Sequence, residues 1–207
     1  MVKLPAGYRV RQVLMDGARL SRTLARMAHE IAERHPDLRG VVLVGVRTRG
    51  VPLARRLAAL ARGAGGAEPP VGALDITLYR DDLTMVASQP VMKGTEIPVS
   101  IDDRTVVLVD DVLFTGRTVR AALDELIDFG RPSRIELAVL VDRGHRELPI
   151  RADYVGKTLT TARGESVQAL LREEDGEDQV LLLEKSRRTP TARPPARPAR
   201  KKGGRRP

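Results

Sequence analysis

Cysteine and tryptophan are absent from this chain of 207 residues, and aromatic side chains amount to three tyrosines and two phenylalanines. Without cysteine there is no disulfide and no thiolate chemistry, which fits a reducing compartment. With so few rings the core must be aliphatic, and a base-stacking platform for single-stranded nucleic acid is disfavoured. No stretch approaches the roughly 20 apolar residues of a membrane helix. Residues 1–14 also lack the apolar run of a signal peptide. A soluble cytoplasmic protein with no membrane partner is expected. Acidic residues are missing from one region: residues 187–207 hold nine of the 36 Lys/Arg and no Asp or Glu. The net charge of +9 therefore belongs to that region, and residues 1–186 are formally neutral. The basicity is thus no argument for RNA binding by the folded body. The composition predicts one α/β domain over 1–186 and a disordered basic tail, rich in Pro, Arg and Ala, over 187–207.

The pattern alternates strand and helix. Leu20, Leu24, Met27 and Ile31 recur at helical spacing, predicting an amphipathic helix over 16–35 with Asp16 as N-cap and Pro36 beyond its end. The β-branched run 41–46 reads as a strand buried on both faces. A short helix over 52–61 and a Gly/Pro-rich loop over 63–70 follow. Residues 75–80 alternate apolar and polar and read as a strand. Residues 81–100, interrupted by Pro90 and Pro98, read as a long loop of functional kind. Strands are expected over 105–109 and 135–141, with a helix over 116–129 between them, and further short strands near 153–156 and 180–184. The fold class is α/β, with a mainly parallel sheet flanked by helices.

The segment Thr105-Val-Val-Leu-Val-Asp-Asp-Val-Leu-Phe-Thr-Gly-Arg-Thr118 carries the chemistry. An apolar strand runs into two carboxylates, Asp110 and Asp111. A turn with hydroxyls at Thr115 and Thr118 around Gly116 then opens a helix. Ligands of open α/β sheets bind at the carboxyl ends of strands. The N–H groups and dipole of a helix N-terminus favour phosphate, and Gly116 lets the backbone come close. Two carboxylates beside an anion cradle suit a ligand that also offers hydroxyl donors, as a ribose does. Two adjacent aspartates before such a turn exceed what capping a helix requires. The Gly-Lys-Ser/Thr ending of the nucleotide P-loop is missing, and no dinucleotide fingerprint follows the first strand. A second loop, Val46-Arg-Thr-Arg-Gly50, follows the earlier strand. There Arg49 could grip phosphate in forked geometry, although a basic surface turn is the better reading of that loop taken alone.

The first of these segments matches the signature for 5-phosphoribosyl-1-pyrophosphate (PRPP) in type I phosphoribosyltransferases. Three longer stretches, beginning Gly45-Val-Arg-Thr-Arg-Gly, Leu74-Asp-Ile-Thr-Leu-Tyr-Arg-Asp-Asp and Val141-Asp-Arg-Gly-His-Arg-Glu-Leu-Pro, resemble the PyrR family, regulators of the bacterial pyr operon and uracil phosphoribosyltransferases. The resemblance covers residues 14–184. It implies the type I phosphoribosyltransferase fold, with a small hood and a flexible loop. It also implies transfer of phosphoribosyl from PRPP to uracil, giving UMP and pyrophosphate, with Mg²⁺ held through PRPP and water rather than by side chains directly.

On that resemblance, PRPP would be bound by Thr48, Arg49, Asp110, Asp111, Val112, Leu113, Thr115, Gly116, Arg117 and Thr118. Asp110, Asp111, Arg49 and Arg80 would act in catalysis, while Tyr79, Arg80 and the loop from Asp81 would close over the site. The base would sit near Asp142, Arg143 and Val155. His145 is read as structural. Pyr operon leader RNA would contact Arg22, Arg26 and His29, which share a helix face, together with Arg146, Arg151 and Lys157; UMP or UTP would raise the affinity. A homo-oligomer, dimer or tetramer, is implied. The chain departs from the family at Phe114, where Tyr is common, at Ala25, where Thr is common, and at Lys157-Thr-Leu-Thr-Thr-Ala162. Two other readings stay open: an RNA-binding nucleotide sensor with little catalysis, and a phosphoribosyltransferase for another base.

Overall fold

The computed structural model of the chain describes residues 4–63, 67–79 and 94–186, with backbone alone for Leu78 and Tyr79. The expected tail over 187–207, Arg80 and most of the expected closing loop lie outside the described residues.

Aliphatic runs build the centre. Strands β2 (Val41–Val46), β3 (Val71–Leu74), β4 (Thr105–Leu113), β5 (Arg134–Asp142) and β6 (Tyr154–Thr158) form one sheet in the order β3-β2-β4-β5-β6. All four pairings in it are parallel. Such a sheet needs cover on both faces, which is why its strands read as continuous apolar runs. Helices α1 (Gly17–Arg34) and α2 (Gly50–Gly63) cover one face, packing on Leu43, Val107, Val109 and Leu140. Helix α3 (Arg117–Asp128) covers the other, with Val42, Val44, Leu108 and Val139 beneath it. The alternation of these residues between faces is the period of two along a strand. The start of α1 is as expected: the Asp16 carboxylate accepts the Arg19 N–H at 2.7 Å, satisfying an orphan donor of the first turn.

A second sheet joins the two ends of the described chain. Strands β1 (Tyr8–Met15), β7 (Glu165–Leu170) and β8 (Gln179–Lys185) run antiparallel in the order β1-β8-β7. The one-turn helix α4 (Arg172–Asp175) sits between β7 and β8. This small sheet is the hood that the family resemblance implies. Strands β1 and β7 were not anticipated from the sequence.

The strand expected over 75–80 is corrected. The strand there is β3, which ends at Leu74, and residues Ile76–Tyr79 form a 3-10 turn. The cause is local. The Asp75 carboxylate accepts the Thr77 N–H at 3.1 Å and the Thr77 hydroxyl, folding the chain back on itself instead of leaving it extended.

Candidate functional site: two strand ends and a hood

The sheet brings both motif loops to one place. Strands β2 and β4 are neighbours, paired up to Gly45 and Val109, so the loop at 47–49 and the acidic pair emerge side by side. Glycine sets the closeness. A Cβ on Gly50 would lie 2.3 Å from the Val109 carbonyl oxygen, and one on Gly45 would lie 2.5 Å from the backbone of Gly50. The Gly50→Ala substitution must therefore push α2 off β4. A loss of about 2 kcal/mol or more is expected in a thermal melt.

β4 runs longer than expected. It continues past the end of its pairing with β2 and stays paired to β5 as far as Leu113 and Asp142. Asp110 and Asp111 thus stand on a strand extension flanked on one side only. Successive residues face opposite sides of a strand: Asp111 shares the parity of Val109, toward α2, and Asp110 that of Leu108, toward α3. Asp110 is 8% exposed and its carboxylate accepts the Asp111 N–H at 2.9 Å; Asp111, partly buried, accepts the Val112 N–H at 2.7 Å. Burial pushes the Asp111 carboxyl above the ordinary carboxylate range, with the Arg49 charge pulling the other way. Leu113 is buried in the core and its carbonyl takes the Arg143 N–H at 3.1 Å, so it supports the crevice from below.

The turn that opens α3 forms at the residues where the sequence places it. Gly116 caps α3 with φ of +93°, a conformation that side-chain-bearing residues rarely adopt. The Thr115 carbonyl accepts the Glu147 and Leu148 N–H groups at 2.9 and 3.2 Å, fixing the turn against residues 147–150. Arg117 is exposed and pairs with Glu147 at 2.8 Å. Thr118 is partly buried in the first turn of α3.

The second loop carries Thr48 exposed at its crest, and the Arg47–Thr48 peptide is cis. Arg47 donates from Nε to the Gly94 carbonyl at 2.9 Å, and Gly94 N–H reaches Asp75 at 3.2 Å. Arg49 is gripped by the hood, with Nε 3.0 Å from Asp175 Oδ2 and Nη2 2.7 Å from Oδ1. Neither Asp75 nor Asp175 was foreseen. Asp75 lay in a run read as a strand. Asp175 lay in the acidic stretch Arg172-Glu-Glu-Asp-Gly-Glu-Asp178, whose pattern carries no pairing signal across the fold.

Of the expected base-site residues, Asp142 and Arg143 stand at the end of β5. Arg143 is 5% exposed, lies 4.0 Å over the Phe114 ring and donates to Thr161 Oγ1 and the Glu165 carbonyl. Beside Phe114 opens a cleft of about 560 Å³ lined by His145, Arg146, Glu147 and Arg163. Val155 is not brought there. It pairs with Val139, three residues short of the strand end, where Thr158 stands level with Asp142. His145 bonds the Thr161 carbonyl at 2.5 Å, in keeping with a structural role.

The expected RNA contacts separate into two groups. Arg22, Arg26 and His29 are exposed on α1, and Arg26 reaches the Val155 and Gly156 carbonyls of β6 next to Lys157. Arg146 lies elsewhere, donating to Ile150, Phe114 and Gly144 carbonyls and pairing with Asp142. Arg151 is exposed near α3, on a shallow pocket shared with Val119 and Leu123.

Residues 12–171 match the model of the phosphoribosyl transferase domain. The chain is 59% identical over 175 residues to the "Bifunctional protein PyrR" of Elusimicrobium minutum, covering 84% of this chain and 98% of that protein. It is 56% identical over 177 residues to the protein of the same name from Thermus aquaticus, covering 86% and 98%. The chain belongs to the PyrR family. Among solved structures, the hypoxanthine phosphoribosyltransferase of Trypanosoma cruzi superposes with a TM-score of 0.63 at 19% identity, covering 85% of this chain and 98% of that one, a likeness of fold alone. The domain's span encloses both strand-end loops, and the match to PyrR proteins extends to the hood. Among the described residues no helix is long and apolar enough to cross a membrane.

Proposed function

We propose that this chain transfers the phosphoribosyl group of PRPP to uracil, giving UMP and pyrophosphate, and that it also regulates a pyrimidine operon by binding its leader RNA. The reading rests on one arrangement: an acidic pair at the end of β4, flanked by the phosphate-accepting turn at 115–118 and by the arginine loop at 47–49. No single simple anion asks for both carboxylates and cationic cradles; a sugar carrying a monophosphate at one end and a diphosphate at the other does.

The chemistry follows from charge. The bond between C1 and the pyrophosphate oxygen breaks as N1 of uracil bonds to C1; pyrophosphate leaves with the electron pair, and N1 loses its proton. Positive charge develops on the ribose in between. Asp110 and Asp111 accept the ribose 2′- and 3′-hydroxyls and stabilise that charge. The N–H groups at the start of α3, with Thr115 and Thr118, hold the 5′-phosphate, and Arg49 with the loop at 47–49 holds pyrophosphate. Among the described residues no group of three or more His, Asp or Glu could hold a metal ion. Mg²⁺ would be held through PRPP oxygens and water beside Asp110 and Asp111, where it would neutralise charge on the leaving diphosphate.

Mixing protein, Mg²⁺ and PRPP with uracil, hypoxanthine or orotate and measuring nucleotide tests the enzyme reading. UMP alone is expected; nucleotide from another base, or none, overturns it. For the regulatory half, Arg22→Ala with Lys157→Ala is expected to weaken leader-RNA binding about tenfold and to reduce the salt slope by about two. UMP formation should be unchanged in that variant. Equal binding of leader and scrambled RNA by the unaltered protein, insensitive to UMP, would contradict this half.

A further inference from the structure

We propose that Asp175 of the hood is a positioning residue for Arg49, holding its guanidinium so that the free edge meets the pyrophosphate of PRPP. The inference rests on the reading of residues 47–49 as the pyrophosphate loop.

The geometry is a bracket. Arg49 is bound side-on by both Asp175 oxygens, through Nε and Nη2. A guanidinium has five N–H donors in one plane, so this leaves the edge formed by Nη1 and the outer N–H of Nη2 for a second anion. Asp175 is itself held. Its Oδ2 accepts the Leu171 N–H at 2.9 Å, its own N–H donates to the Leu171 carbonyl at 2.6 Å, and Gly176 behind it turns the chain with φ of +82°. The segment is pinned again, to α2 itself. Arg56, seven residues beyond Arg49 and within α2, pairs with Glu173 and with Asp178 at 2.7 Å. The hood loop therefore offers a fixed carboxylate.

The need for it lies on β4. Arg49 and Asp111 are close enough that the charge of each alters the titration of the other. Asp175 takes Arg49 in two hydrogen bonds, so Arg49 is forked toward the hood and Asp111 is left for the sugar. Asp175 touches neither substrate; it acts through Arg49.

Asp175→Asn keeps the shape but removes the charge and one of the two acceptors. The Michaelis constant for PRPP and the dissociation constant of pyrophosphate are expected to rise about tenfold, equivalent to about 1.4 kcal/mol. Turnover at saturation, the Michaelis constant for uracil and the melting temperature should change little. Arg49→Ala combined with Asp175→Asn should be no weaker toward PRPP than Arg49→Ala alone. Tighter PRPP binding in Asp175→Asn would overturn the proposal. So would losses spread evenly over PRPP, uracil and melting temperature, or full additivity in the combined variant. If Arg49→Ala itself leaves PRPP binding intact, the pyrophosphate reading of the loop fails with it. If Arg49→Ala is severe and Asp175→Asn silent, the positioning role alone fails.

Discussion

Replacing Asp110 and Asp111 together by asparagine is expected to lower UMP formation by about a thousandfold or more while leaving a folded protein. The loss follows from the role proposed for the pair: positive charge on the ribose exists only as the bond to pyrophosphate breaks, and uncharged amides cannot stabilise it. Retention of the fold follows from the hydrogen bonds. Asp110 and Asp111 accept the N–H groups of the residues that follow them, and an asparagine oxygen can do the same. The sign of the stability change can also be stated. Burial raises the Asp111 carboxyl above its ordinary range. Its contribution to stability is therefore present at low pH and is lost as pH rises through that raised value. At neutral pH the charge is a burden, so the double variant should melt at the same temperature as the unaltered protein or higher, a trade of stability for function. A variant that both turns over normally and melts normally would remove the ribose assignment. Parallel assays of UMP and thermal melts read both quantities.

The second large effect lies at the other end of the sheet. Glu136, near the start of β5, is 2% exposed. It accepts the Tyr154 hydroxyl at 2.6 Å and contacts His35 Nε2 at 2.9 Å, with Arg34 and Arg134 at 3.6 and 3.5 Å. These groups join the C-terminal end of α1 to β5 and β6. Glu136→Ala would leave the buried Tyr154 hydroxyl without its acceptor beside an empty space, while the exposed Arg34 and Arg134 stay hydrated, at a cost of about 3 kcal/mol. For a chain of this size the melting temperature should fall by about 6–12 °C. Burial pushes the Glu136 carboxyl up, but the bonds from Tyr154 and His35 and the charges of His35 and Arg34 outweigh it, so the net shift is downward. A depressed carboxyl contributes stability above its unfolded-state value, and that stability is lost as pH falls through the folded-state value. Glu136→Gln should therefore flatten the loss of stability below about pH 4.5. Activity per folded molecule should be untouched, because the cluster lies at the opposite end of the sheet from the acidic pair.

How far the sequence disclosed this depended on how local each feature is. The cores of β2, β4 and β5 were legible because a strand covered on both faces must be apolar at every position. Helix α1 was legible through the spacing of Leu20, Leu24, Met27 and Ile31. The acidic pair and the turn at Gly116 were legible because the residues that make them are consecutive in the chain. Strand β1 was not, since its middle is exposed and its partner β8 lies some 170 residues further along the chain. Nor was the fold of residues 75–79, where the side chain of Asp75 overrides an alternating pattern. Arg49 was read as a phosphate ligand, but its grip by Asp175 spans 126 residues and depends on how the hood docks. Val155 was placed in the base site by analogy; the register of β6 puts it three residues below the strand end.

The most direct measurement is a crystal structure of the protein with PRPP and Mg²⁺. The ribose 2′- and 3′-hydroxyls are expected within about 3.2 Å of the Asp110 and Asp111 carboxylates, with the 5′-phosphate against residues 115–118 and the diphosphate against Thr48 and Arg49. PRPP bound elsewhere, or bound there with neither carboxylate touching the sugar, would contradict the account.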